Sequence, residues 1–126
     1  MQNSRKTDAF ASSQATYLGV NMSTVSVIVR IQLSAESAPA YAEAAKAVVA
    51  ATRQEDGCEW YGIASDVTDP YVVWISEQWA SQAHLDAHLR APHVAALLEA
   101  CAALEILDME VRRYEVSSVG DLVMPE

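Results

Sequence analysis

Across residues 25–33 every odd-numbered position is apolar, and this period of two predicts a strand with one buried face. The period then changes. Ser34 and Ser37 offer N-cap hydroxyls, and Pro39 suits a first helical turn. Ala38, Tyr41, Ala42, Ala45, Val48, Val49 and Thr52 recur at spacings of three and four, which predicts a helix to about Gln54. Glu43, Lys46 and Arg53 lie on its other face, and Gly57 follows as a C-cap glycine. Residues 58–67 and 71–79 read as strands joined by a turn at Thr68-Asp69-Pro70, so they form a hairpin. Ser81 caps a second helix that reaches about Ala91. Pro92 cannot donate to that helix and so kinks it or starts a new one. Val94, Leu97, Leu98, Cys101 and Leu104 continue the apolar stripe, and residues 105–116 form the last strand.

The order β-α-β-β-α-β, with no internal repeat, predicts an α+β, ferredoxin-like fold: one antiparallel sheet with both helices on one face. The patterned domain spans residues 24–116. Residues 1–23 are a polar N-terminal tail, with Met22 as a candidate natural start, and residues 117–126 are a loose C-terminal tail. The sheet face away from the helices does not read as polar. Val72-Val73-Trp74-Ile75 is apolar on both sides, and Trp60 and Tyr61 point to opposite faces. A cover is therefore expected. The N-terminal tail is one candidate. A second copy, packed sheet to sheet, is the better one, because it covers a whole face at once.

Bulk properties narrow the partners. A chain of 126 residues makes one domain that buries roughly 65–70% of its unfolded surface. Seventeen acidic against eight basic side chains give a net charge of −9, which argues against nucleic acid and against an anionic membrane surface. No apolar run is long enough to span a bilayer, and the N-terminus lacks the apolar region of a secretory signal. Cys58 and Cys101 have no metal-ligand spacing and make no disulfide framework, so both read as small buried hydrophobes of a cytoplasmic protein.

Several short motifs together resemble one family. Gly57-Cys58-Glu59-Trp60-Tyr61, then Asp66, then Asp69-Pro70, is similar to the GC-x-x-Y…D…DP run of antibiotic-biosynthesis-monooxygenase domains. Glu77-Gln78-Trp79 resembles their E-x-W. His88-Leu89-Arg90-Ala91-Pro92-His93 resembles their H-x-x-S-P-H, with Ala91 in place of Ser. The resemblance runs from about Val25 to Tyr114. It implies a dimeric α+β barrel and, in many relatives, oxygenation of quinols, anthrones or polycyclic phenols without flavin or metal. Some relatives degrade haem with an Asn on the first strand and an axial His late on the second helix. Here Ile31 or a neighbour stands at the first place, Leu97, Leu98 and Glu99 at the second, and no Asn follows Met22, so that branch is disfavoured.

Cofactor-independent oxygenation of an electron-rich phenol needs a base, an apolar aromatic slot and hydrogen-bond donors for a developing oxyanion. His88 shares a helical stripe with Leu85 and Leu89 and is the candidate base. The alternative is a core histidine bonded to a backbone carbonyl or to Glu77. Glu77 shares a strand face with Val73, Ile75 and Trp79 and is the second catalytic candidate. A buried carboxylate there needs a partner, for which Arg112 or a helix histidine is available, and a dimer-interface ion pair is the plainer reading. Trp79 and Tyr61 match family positions that can line a slot. His84 and Trp74 complete the candidate substrate contacts, although Trp74, with Trp60, also suits the opposite face. Arg30 is expected to pair with Asp108 or Glu110. His84, His88 and His93 read as three histidines by chance, not as a metal site. The expectation is a homodimeric, cofactor-free monooxygenase acting on a small quinol- or anthrone-like phenol. The alternative is a non-catalytic dimeric barrel that binds a small apolar ligand.

Overall fold

The computed structural model describes residues 23–126. The expectations that concern residues 1–22, namely the tail, the alternative start and a cover for the second face, lie outside the described residues. Seven elements follow in order: β1 (Thr24–Leu33), α1 (Ala38–Thr52), β2 (Cys58–Asp66), β3 (Asp69–Trp79), α2 (Gln82–Leu89), α3 (Pro92–Cys101) and β4 (Ile106–Val116). The strands form one sheet in the order β2-β3-β1-β4, and every pair is antiparallel. This is the α+β, ferredoxin-like arrangement that the element order predicts.

Period two in β1 puts Val25, Val27, Val29, Ile31 and Leu33 on one buried face. That face meets Tyr41, Ala45 and Val48 of α1 and Leu85 of α2, with the fully buried Trp79 at the end of β3. Each such apolar side chain contributes roughly 1.5–3 kcal/mol by leaving water. Leu89, expected on the inward stripe, is 58% exposed. It is the last residue of α2, and its side chain borders an open cleft between the helices and the sheet.

Four boundaries differ from the pattern. Helix α1 ends at Thr52, short of Gln54, and Ser37 makes no side-chain cap there. Its hydroxyl instead accepts the Glu105 N–H at 2.8 Å, tying the α1 start to the start of β4. The hairpin turn is Val67–Thr68, so Asp69 and Pro70 belong to β3. Pro70 is tolerated because the ladder to β1 begins only at Val72. The turn is tightened by Asp66, whose Oδ1 accepts from the Thr68 N–H at 2.8 Å and the Thr68 hydroxyl at 2.6 Å, while its Oδ2 accepts from the Trp74 indole at 2.8 Å. Finally, Pro92 starts a new helix, giving three helices where two were expected. Ala91 is extended and Pro92 occupies the first turn of α3, where its missing N–H costs nothing.

The sheet face away from the helices is mixed, not apolar throughout. Ile28, Trp60, Trp74 and Tyr114 are exposed. The Arg30 guanidinium lies 5.9 Å from the Trp74 ring and 3.9 Å from Asp108, the expected ion pair. Arg112 lies 4.0 Å from Glu110, so it does not serve Glu77. Among the described residues no helix is long and apolar enough to cross a membrane.

Candidate active site

Helices α2 and α3 stop short of β4, and a cleft opens between them and the sheet. It has a volume of about 450 Å³ and an almost wholly apolar lining. Val27, Val29 and Ile31 form its floor, Leu85, Val94 and Leu97 its helical wall, and Met109 and Val111 of β4 its open side. Few polar groups line it: Glu77 and His88 at one end, Gln82 and Arg113 at the other, and the phenols of Tyr41 and Tyr61. The register explains this placement. Tyr61 pairs with Glu77, Glu77 with Val27, and Val27 with Arg113, so the four side chains form one row across all four strands. Glu77 and Arg113 stand two strand spacings apart, or about 10 Å. At the far rim the Arg113 guanidinium donates to Gln82 Oε1 at 3.2 Å.

His88 is held on every side. It sits in the last turn of α2 and is only 3% exposed. Its ring stacks on Trp79, with centroids 4.7 Å apart and planes at 33°, and tilts against Tyr61 at 5.5 Å. Nδ1 lies 2.7 Å from Glu55 Oε2, and Nε2 faces Glu77 Oε1 at 3.9 Å. The second contact is too long for a hydrogen bond. Glu77 Oε1 accepts from the Trp79 indole at 3.0 Å. Burial raises the Glu77 carboxyl above the usual range, against the opposing effects of the Trp79 hydrogen bond and His88. Burial also raises the Tyr61 phenol, and it raises that of Tyr41 to about 12. Both hydroxyls therefore stay protonated near neutrality and remain hydrogen-bond donors. The Cys58 and Cys101 thiols are likewise raised, chiefly by burial, so neither is a ready thiolate.

The predicted residues divide into groups. Tyr61, Glu77 and His88 converge on the cleft. Trp79 is fully buried beneath His88 and supports the ring without lining the cleft. Trp74 lies on the opposite sheet face with Arg30. His84 also lies outside the cleft lining. Its Nδ1 is 2.7 Å from the Ser81 hydroxyl and its Nε2 is 3.5 Å from Asp56. Its ring packs over Gly57, whose φ of +78° is left-handed, and a Cβ at Gly57 would overlap the ring. The first glycine of the family-like motif is thus needed for both conformation and close approach.

Two further residues belong to the site, Glu55 and His93. Glu55, in the connection from α1 to β2, carries no periodic signal. His93 counts as off the helical face only if the helix continues unbroken. Because Pro92 starts a new helix, His93 returns toward His88, and its Nε2 lies 2.9 Å from the same Glu55 oxygen. Glu55, His88 and His93 bring their ligand atoms within 4.8 Å of one another, the grouping with metal-ligand character among the described residues. Their contacts of 2.7 and 2.9 Å are those of a satisfied hydrogen-bond network. His84 is not part of it.

Residues 24–100 match the model of the antibiotic biosynthesis monooxygenase family. The chain belongs to this family. It is similar to the probable quinol monooxygenase YgiN of Escherichia coli (strain K12), with 34% identity over 73 residues that cover 52% of this chain and 69% of YgiN. A Deinococcus radiodurans protein whose crystal structure carries the same family designation is 28% identical, with a TM-score of 0.73 over 79% of this chain and 99% of its own. Rv0793 of Mycobacterium tuberculosis is 23% identical, with a TM-score of 0.67 over 82% of this chain and 100% of its own, a likeness of fold alone. In this antibiotic biosynthesis monooxygenase family member the scattered motifs meet at one end of the cleft. Tyr61, Glu77, Trp79, His88 and, through Glu55, His93 form one connected cluster.

Proposed function

We propose that the protein is a homodimeric monooxygenase that oxygenates a small electron-rich phenol, of hydroquinone, anthrone or polyketide-like type, without a bound cofactor. The observation that carries this reading is a nearly apolar cleft of about 450 Å³ with an imidazole and a carboxyl at one end. Such a slot holds a flat ring and excludes water, and its few polar groups fix the ring's orientation. The phenol gives its proton to His88 Nε2. The resulting anion reduces dioxygen. One oxygen atom replaces the hydrogen of a ring C–H, the other leaves as water that takes up that hydrogen and the phenol proton, and all four electrons come from the substrate. The proton on His88 returns to the departing oxygen. The Tyr61 phenol is the hydroxyl donor nearest the developing oxyanion, and the Glu77 carboxyl, whose neutral form burial favours, stands beside it. Family membership and the likeness to YgiN support the reaction class.

The exposed Ile28, Trp60, Trp74 and Tyr114 support a second copy packed on the open sheet face. The ion pairs on that face make such an interface mixed.

A second reading is a non-catalytic barrel that binds a small apolar ligand. It is favoured by His88 being fully held by Glu55 and Trp79, as a structural histidine is. Oxygen consumption with a panel of hydroquinones and anthrones separates the two. The enzyme consumes oxygen in proportion to product with no added cofactor. Tight binding of every panel member without oxygen uptake refutes the monooxygenase.

A further inference from the structure

Two imidazoles share one carboxylate oxygen here, and that geometry restricts where their protons can be. Glu55 Oε2 lies 2.7 Å from His88 Nδ1 and 2.9 Å from His93 Nε2. An ionised carboxylate oxygen only accepts, so both ring nitrogens must donate to it. For a neutral His88 this puts the ring proton on Nδ1 and leaves the lone pair on Nε2. That nitrogen faces the cleft end, and the Glu77 carboxyl oxygen opposite it, Oε1, is 3.9 Å away. This is too far for a hydrogen bond, so the carboxyl does not occupy the lone pair.

We propose that Glu55 is a positioning residue that fixes the tautomer and orientation of His88, and that His93 locks Glu55 in place by taking the second lone pair of the same oxygen. The three groups come from three separate elements: the α1–β2 connection, the last turn of α2 and the first turn of α3. The network thus ties the Pro92 helix restart to the site. Side-chain exposure rises from 4% at His88 to 17% at Glu55 and 23% at His93, so the charge stays off the cleft and at its solvent end. The His88 ring cannot turn over freely to exchange its nitrogens, because it stacks on Trp79 at 4.7 Å. When Nε2 takes a proton, the imidazolium keeps its Nδ1–H on Glu55 and the positive ring meets a fixed negative charge. This inference rests on His88 being the base of the proposed reaction, but its first consequence, the tautomer, is observable without any turnover.

The test is long-range proton–nitrogen correlation spectroscopy on protein labelled with ¹⁵N-histidine, at a pH where the rings are neutral. The expected spectrum shows His88 protonated at Nδ1 and bare at Nε2, and His93 protonated at Nε2. Glu55→Leu is the discriminating variant. Gln would not serve, because its amide oxygen also carries two lone pairs and can take both donors. Leu takes neither, so the Nδ1–H form of His88 is no longer fixed and turnover falls by roughly 10²–10⁴-fold, the contribution of a positioned base, with KM little changed. Glu55→Asp keeps an acceptor-only group, so it retains the His88 tautomer and most of the rate that Leu loses, and it also serves if the Leu variant fails to fold. A wild-type His88 with Nε2–H and a bare Nδ1 overturns the proposal. So does a folded Glu55→Leu that leaves both tautomer and turnover unchanged. The expected tautomer in a protein where His88→Ala does not slow turnover keeps the network but removes the proposed function, so the two failures are distinguishable.

Discussion

Replacing His88 by Ala removes the candidate base and a buried structural group at once, so the two effects must be sized separately. The lost hydrogen bond to an ionised carboxylate costs about 1.5–3 kcal/mol. The ring also leaves a hole against Trp79 and Tyr61, and truncating buried side chains costs about 2–5 kcal/mol. Both values fall at their lower ends here. Glu55 keeps its His93 partner at 2.9 Å, and the hole opens into the cleft, where water can enter. A combined loss of about 3.5 kcal/mol follows. Domains of this kind have about 5–15 kcal/mol to lose, so the variant folds, with a melting temperature lower by roughly 14–28 °C. Turnover, measured as oxygen uptake well below that temperature and per folded protein by circular dichroism, falls by roughly 10²–10⁴-fold. The reasoning is refuted by a folded His88→Ala protein with unchanged turnover, which would move the search for a base to Glu77. A variant that does not fold at all shows a cost well above about 3.5 kcal/mol and makes His88 a core residue first.

Burial raises the Glu77 carboxyl, so the folded state resists its ionisation. The penalty is absent below the usual carboxylate range, where the group is protonated in both states, and it grows as pH rises towards the folded value. Glu77→Gln is therefore expected to stabilise the protein at neutral pH and not in acid, because Gln still accepts the Trp79 N–H. Thermal melts of both proteins at the two pH values check this, and equal gains at both would contradict it. Asp66, lowered to about 2 by its bonds from Thr68 and Trp74, behaves oppositely: the turn is at full strength above the usual aspartate value of 3.8 and loosens as pH falls towards 2, followed by the Trp74 indole proton resonance. Gly57→Ala forces a left-handed backbone and an overlap with His84, and should cost about 1–3 kcal/mol or more in urea unfolding. A dimer formed sheet to sheet buries about 2,000 Å² in total, and light scattering at micromolar concentration should give twice the chain mass; a monomer would remove the barrel.

Where a periodicity runs unbroken, the elements it predicts match the structure to within a residue or two. The odd-position run in β1 and the three-and-four spacing of α1 each identify their buried face, because water makes the same demand at every repeat. Punctuation was harder. Pro70 looks like a turn residue because it lacks an N–H, yet it sits in β3 at a point where no partner asks for one. Ser37 looks like a cap because it precedes an apolar stripe, yet its hydroxyl serves Glu105, 68 residues away. Both misreadings share a cause. A local rule states what a residue is able to do, and the long-range partner decides which option is used.

The same division runs through the site. His88, Glu77 and Tyr61 were legible because they lie on faces that also carry apolar residues, so burial of the face carries them inward. Trp79 was legible as buried, but not as the support under His88. Helical spacing alone makes His84 a neighbour of the site. The Gly57 turn takes that ring instead, as only a residue without a Cβ allows. Glu55 lies in a polar connection where Gln54, Glu55 and Asp56 look alike, and nothing local distinguishes the middle one. What distinguishes it is that two histidines need an ionised acceptor. That need becomes visible only once Pro92 is seen to restart the helix, because the restart turns His93 back towards His88. An acidic residue two positions before a left-handed glycine, together with a His-x-x-x-Pro-His run elsewhere, is therefore a joint signal that neither segment carries alone.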